Sequence, residues 1–213
     1  MEEVTPQAVL AAYQGVRSRT LGLLRPLSDE QALLTVPACP AWTIHDLVCH
    51  LYGVIDDILE GRLEGAGSDP WTAAQIARHA PLSLTELCDA WEQSAERFDD
   101  VLVHIPSPVN LRIVMDQATH EHDLRHTLGQ FGAQDSDAIA MGTTWLLGSV
   151  GQDLTEQFTS VDASRFETFR ALSGRRSRRQ LAALGFPAEA FAERLAGSPI
   201  SVPEGDLVEP QAN

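Results

Sequence analysis

Positive charge is scarce in this sequence. Lys and Arg number 15 against 30 Asp and Glu, giving a formal net charge of −15 and a pI near 4.7. Phosphate binding needs a basic surface, so this balance argues against a nucleic-acid partner and against docking on an anionic membrane. Long apolar runs are missing too: none approaches the roughly 20 residues that a bilayer crossing takes. The start MEEVTPQ has neither a positive segment nor an apolar one to serve as a leader, so a cytoplasmic protein is expected. Cysteine is sparse. Cys39, Cys49 and Cys88 are odd in number and lack CxxC spacing, which excludes a disulfide framework or a Cys-rich zinc site and predicts reduced thiols. Cys49 reads as a small packed hydrophobe, and Cys39 falls in a loop near the candidate site below. Internal repeats, low-complexity tracts and, before residue 160, convincing strand patterns are also wanting.

What remains is the composition of a folded domain, 44% hydrophobic and 21% charged over 213 residues. That length supports one sizeable core, with room for a small appendage. Apolar residues from Pro6 to about Leu24 recur with helical spacing until Pro26. An irregular stretch, SDEQALLTVPACPAW, leads to Thr43, whose TxxD arrangement with Asp46 resembles a capping box opening a second helix from Ile44 to about Glu60. Residues 61–83 read as a loop holding a short helical piece around Ala73 to Arg78. Leu87, Trp91, Ala95, Phe98 and Leu102 mark a third helix ending near Pro106. A fourth lies between Ser107-Pro108, as N-cap and N1, and Gly129. A fifth amphipathic segment runs from about Ser136 to Phe158. The predicted fold is all-α, a four-helix bundle over residues 1–160 with a small C-terminal extension over 161–213, possibly α+β.

The fourth helix contains MDQATHEHDLRHTLG, three histidines and two aspartates within eleven residues. At about 100° per residue, Asp116 and His120 border the apolar stripe, whereas His122 lies roughly 160° from His120, beside Arg125 and His126 on a polar face. An Asp/His pair at i, i+4 presents an oxygen and a nitrogen to one ion, the spacing that metal sites in bundle cores use. In the second helix His50 sits at the edge of the Leu47, Leu51, Val54, Ile58 stripe, with Asp46 one turn earlier and placed to accept its second ring proton. Three protein ligands leave coordination open, as in catalytic sites. The same pattern also suits core-edge histidines satisfied by nearby aspartates, with HEHDLRH as a charged surface, and periodicity alone does not separate the two.

Two segments, CPAWTIHDLVCHL at 39–51 and HEHDLRHTLG at 120–129, resemble the mycothiol-dependent maleylpyruvate isomerase family of the DinB-like superfamily. GRRSRRQLAALGF at 174–186 is similar to the later part of many members. The resemblance implies a DinB-like bundle holding a divalent metal, usually zinc, through His50, Asp116 and His120. The family more often has Glu where this chain has Asp116, which makes His122 an alternative ligand and leaves Asp46 and Asp123 as alternative or supporting groups. It also implies a low-molecular-weight thiol, mycothiol in actinobacterial members, as cosubstrate, attacking a small electrophile such as an unsaturated acid, an epoxide or a halogenated carbon.

Arg175 and Arg176 are candidates for binding a carboxylate of substrate or thiol, but with Arg178 and Arg179 they more readily pair with surface acids. Trp42 either walls the pocket or acts as a hydrophobic staple ahead of Thr43. The isomerase that names the family carries a larger C-terminal domain, so its own substrate does not transfer. A non-catalytic zinc-binding or sensing protein, a metal-dependent hydrolase and a metal-free interaction protein stay open as alternatives. So does the oligomeric state, a homodimer among the options.

Overall fold

The computed structural model of the chain describes residues 4–198 and 200–210. Residues 1–3 of the stretch read for a leader, and the last three of the tail, lie outside them. Nearly all the regular structure of the described residues is helical. The first helix is where periodicity puts it: α1, Pro6–Leu24, is capped by the Thr5 hydroxyl and buries Val9, Tyr13, Val16 and Leu24. The stretch that follows is more ordered than its two prolines suggest. Ser28 and Gln31 form a capping box around α2, Asp29–Ala32. β1, Thr35–Val36, then pairs antiparallel with β2, Cys39–Thr43, correcting the expectation of no sheet before residue 160. A two-residue strand is too short to show alternation.

Helix α3, Ile44–Leu59, starts at the predicted capping box: Asp46 Oδ2 accepts from the Thr43 N–H at 2.9 Å, and the Asp46 N–H donates to Thr43 Oγ1 at 3.2 Å. The short helical piece expected around Ala73 to Arg78 within the 61–83 loop is a longer helix of three turns, α4, Asp69–His79, with Ser68 as N-cap and Pro70 in the first turn. The third helix keeps its predicted stripe but breaks into α5, Leu84–Gln93, and α6, Ala95–Leu102. At the break the Ser94 hydroxyl donates to the Trp91 carbonyl, a local bond that competes with the helix ladder. Trp91, fully buried, donates its indole N–H to Tyr13 Oη at 3.3 Å, and the Tyr13 ring lies 5.0 Å from Phe98, tying this pair to α1.

Helix α7, Val109–Thr127, begins one residue later than its Ser107-Pro108 signal, with Pro108 itself as N-cap. It ends as predicted at Gly129, where the Gln130 N–H returns to the Arg125 carbonyl across a left-handed residue (φ 64°). The fifth segment is two helices, α8, Asp137–Val150, and α9, Gln152–Thr159, separated by Gly151 at φ 97°. The extension is helical throughout its regular parts, α10 Arg165–Leu172, α11 Arg178–Leu184 and α12 Ala188–Leu195, with no strand among the described residues. The fold is thus all-α, with α1, α3, α5–α6 and α7 as the bundle and α8 packed along α7 and α1. No helix among the described residues is long and apolar enough to cross a membrane.

α3 crosses α4 closely at Gly53. A Cβ built on Gly53 would lie 2.6 Å from Cβ of Gln75. Gly53→Ala gains up to about 1 kcal/mol of helix propensity, but overpacking a tight contact typically costs about 1–3 kcal/mol. A net loss of stability is expected, read as a lower urea midpoint at unchanged m-value. An unchanged midpoint would mean that α4 yields without cost.

Candidate metal centre

Three side chains predicted to act together are brought together. His50, one turn before Gly53 on α3, points its Nε2 at Oδ2 of Asp116 on α7, 3.5 Å away. One turn along α7, His120 Nε2 lies 3.8 Å from Asp116 Oδ1. The ligand atoms of all three fall within 4.8 Å of one another, and the imidazole centroids are 5.2 Å apart, edge to face. Both histidines are buried, while the Asp116 side chain is 30% exposed and marks the open side. Trp42, on β2, closes another side with its ring 5.3 Å from His50 and 5.8 Å from His120.

Each imidazole is held from behind. His50 Nδ1 lies 2.8 Å from Gln75 Oε1, and Gln75 in turn donates its Nε2 to Asp57 Oδ2 at 2.9 Å. Asp57 is fully buried on α3 and also accepts from Arg62 Nε at 2.7 Å and Arg78 Nη1 at 2.6 Å. Because Asp57 only accepts, the amide has one orientation, with its oxygen toward His50, and His50 must carry its proton on Nδ1. On the other side His120 Nδ1 donates to Asp123 Oδ2 at 3.1 Å. Asp123 is bound by Arg170 Nη1 at 2.8 Å and Arg175 Nη2 at 2.6 Å. In the neutral imidazoles both Nε2 lone pairs therefore face Asp116.

That donor set fits a divalent cation. Tetrahedral ligands about 2.0–2.1 Å from zinc stand roughly 3.4 Å apart, close to the two N···O separations, which are too long for good hydrogen bonds. Asp116 Oδ2 is buried with no hydrogen-bond partner, an acceptor turned toward His50. The shorter carboxylate of Asp thus still reaches the pair. Burial opposes charge on Asp116, yet His50 and His120 outweigh it and hold the carboxyl down at about 2. Burial likewise works against a charged His50, but Asp116 overrides it and raises the pKa. A second grouping, Cys39 with His120 and Asp123, is a poorer set: Asp123 is taken up by arginines, and burial pushes the Cys39 thiol up to about 11.

Other predicted residues fall elsewhere. Asp46 is not the partner of His50, since its carboxylate is spent on the Thr43 cap. His122 is in neither grouping. It is buried against Phe166 of the extension, ring centroids 4.7 Å apart, and burial followed by the nearby Arg170 charge lowers it to about 4. The face of α7 read as charged surface is covered by α10, which no local pattern reveals. Arg175 and Arg176 pair with acids as expected, but inside the protein rather than on its surface: Arg175 with Asp123, Arg176 with Glu167 and Glu209. Of these four arginines, Arg178 and Arg179 are the exposed ones, paired with Glu189 and Asp206. Gln75 was missed. The Ser68-Asp69-Pro70 start could have revealed its helix, but nothing in sequence links it to a histidine 25 residues earlier.

A family model described as mycothiol maleylpyruvate isomerase N-terminal domain matches residues 13–121, just over half of the chain, including His50, Asp116 and His120. No curated protein and no solved structure matches it.

The Asp57 network gives a stability test. Asp57→Asn turns one acceptor into a donor, facing either Gln75 Nε2 or the two guanidiniums, and removes the charge that both arginines share. Arg62 and Arg78 are 39% and 34% exposed and regain water, so the expected loss is about 1–3 kcal/mol rather than that of a sealed ion pair. Arg62→Gln alone should cost less than about 1 kcal/mol. Equal urea midpoints for both variants would overturn this ordering.

Proposed function

The chain belongs to the mycothiol maleylpyruvate isomerase N-terminal domain family, and from that premise we propose that it is a metal-dependent enzyme using a mycothiol-type thiol to transform a small electrophile, by S-transfer or isomerisation. The observation that carries the reading is the convergence of two imidazole Nε2 atoms on Asp116 while both Nδ1 atoms are committed to buried partners. His50, Asp116 and His120 would hold the ion, with zinc favoured by a nitrogen-rich set. When bound, a divalent ion on three protein ligands supplies an open coordination position and the positive charge that favours thiolate over thiol at neutral pH.

The chain's own residues do the rest. Gln75 and Asp123 keep the Nδ1 protons in place, so neither imidazole can present the wrong nitrogen. Trp42 excludes water from one wall and gives a thiol or electrophile an apolar surface. Cys39 and Cys49 are not nucleophiles in this reading, because burial raises them to about 11 and about 12 and leaves almost no thiolate at neutral pH.

Elemental analysis of purified protein is expected to give about one zinc per chain, lost in His50→Ala and in His120→Ala. Gln75→Leu, which keeps the ligands but frees His50 Nδ1, should bind zinc about 10–100-fold more weakly in chelator competition. A thiol such as mycothiol should add a further thermal shift only to the zinc-loaded protein. Wild type that holds no metal and is stabilised by no divalent ion would sink the proposal.

A further inference from the structure

Residues 200–210 carry no helix or strand, yet they are closely held across the corner between α10 and α11. The Ser201 carbonyl lies against Gly174, where a Cβ would come within 2.5 Å of it and where φ is +73°. Asp206 accepts from the Ser177 hydroxyl at 2.5 Å, and Leu207 exchanges two hydrogen bonds with the Gln180 amide. Leu207 points inward and Val208 outward, so Glu209 turns in again, its side chain 8% exposed. It ends between two buried guanidiniums: Oε1 accepts from Arg170 Nε at 2.7 Å and from Arg176 Nη1 at 2.9 Å.

We infer that Glu209 is a positioning residue for His120, acting through Arg170 and Asp123, so that this strap sets the orientation of one side of the metal centre. The chain of contacts is continuous: Glu209 Oε1 to Arg170 Nε, Arg170 Nη1 to Asp123 Oδ1, Asp123 Oδ2 to His120 Nδ1. A guanidinium is a rigid planar fork, and this one is pinned from two sides. Arg170 is fully buried and its Nη2 already lacks a partner. Losing Glu209 would leave Nε and Nη2 unsatisfied together, so the guanidinium must turn to find acceptors and loosen its hold on Asp123. The last link, His120 to Asp123 at 3.1 Å, is the longest of the three and should respond first. The meaning of this for metal binding rests on the proposed function, but the positioning itself does not.

Two measurements on the full chain separate these. In zinc-free protein the His120 ring should show a protected Nδ1–H by 15N NMR, and Glu209→Leu, which removes the acceptor of Arg170 Nε, should broaden or abolish it. Chelator competition should then give a zinc Kd raised about tenfold or more. Glu167→Gln removes a partner of Arg176, which does not touch Asp123. It should lower stability while leaving both readouts unchanged. Glu209→Asp, retaining charge at shorter reach, serves if Glu209→Leu does not fold and should give an intermediate effect. The inference is overturned if the glutamate variants leave the His120 signal and the zinc Kd unchanged, meaning Arg175 alone holds Asp123, or if Glu167→Gln moves both as far. Should wild type bind no zinc, the functional reading fails while the His120 signal still decides the positioning.

Discussion

Asp123 is a carboxylate removed from water, and a buried charge survives only where neighbours match it. Burial by itself would favour the neutral acid, but Arg175 and Arg170 outweigh that and hold the group well below the usual carboxylate range. The arrangement is more than local. Asp123 belongs to α7, Arg170 to α10 and Arg175 to the loop after it, so one carboxylate joins the bundle to the extension and orients a candidate ligand at the same time. Removing it would leave the buried Arg170 with Glu209 as its remaining carboxylate partner, so the loss should be smaller than the about 3–5 kcal/mol of a sealed pair that loses its whole counter-charge.

The two histidines are wired alike by different means. One is backed by a neutral amide that a buried carboxylate orients, the other directly by a carboxylate, and in both cases the carboxylate is anchored by two arginines. All fifteen basic residues of the chain are arginine. That choice suits its task, because a delocalised, weakly hydrated fork can satisfy two acceptors inside a protein, where an ammonium would lose more solvation. The outcome is a pair of imidazoles whose orientation is fixed before anything binds, the kind of preorganisation that a metal centre needs.

Family membership and geometry bear on different parts of this site. The matched region stops at residue 121, so it includes the three candidate ligands and the glutamine behind His50. Asp123 and all the arginines that hold it lie beyond. The extension completes the support of His120, and the mostly helical DinB-like bundle supplies the rest.

Local physics made much of this legible from the sequence. Helical periodicity and capping chemistry located α1, α3 and α7 nearly to the residue, because caps and apolar stripes are properties of a few neighbouring side chains. His50, Asp116 and His120 could be singled out as candidates because i, i+4 spacing and stripe edges fix which way a side chain faces, and because the family resemblance favoured ligands over core-edge histidines, which periodicity alone does not. The groups that hold them from behind could not be. Asp46 has the right spacing to serve His50, but its own cap takes it first. Gln75 serves instead, from a helix whose approach depends on Gly53. His122 looked solvent-facing because α7's wheel cannot show that α10 covers it, and Arg175 looked like surface charge because its partner lies 52 residues away. Sequence alone determined which residues could be ligands; tertiary structure alone decided which groups hold them, since a hydrogen bond between distant segments depends on how helices pack and leaves no periodic trace in the chain.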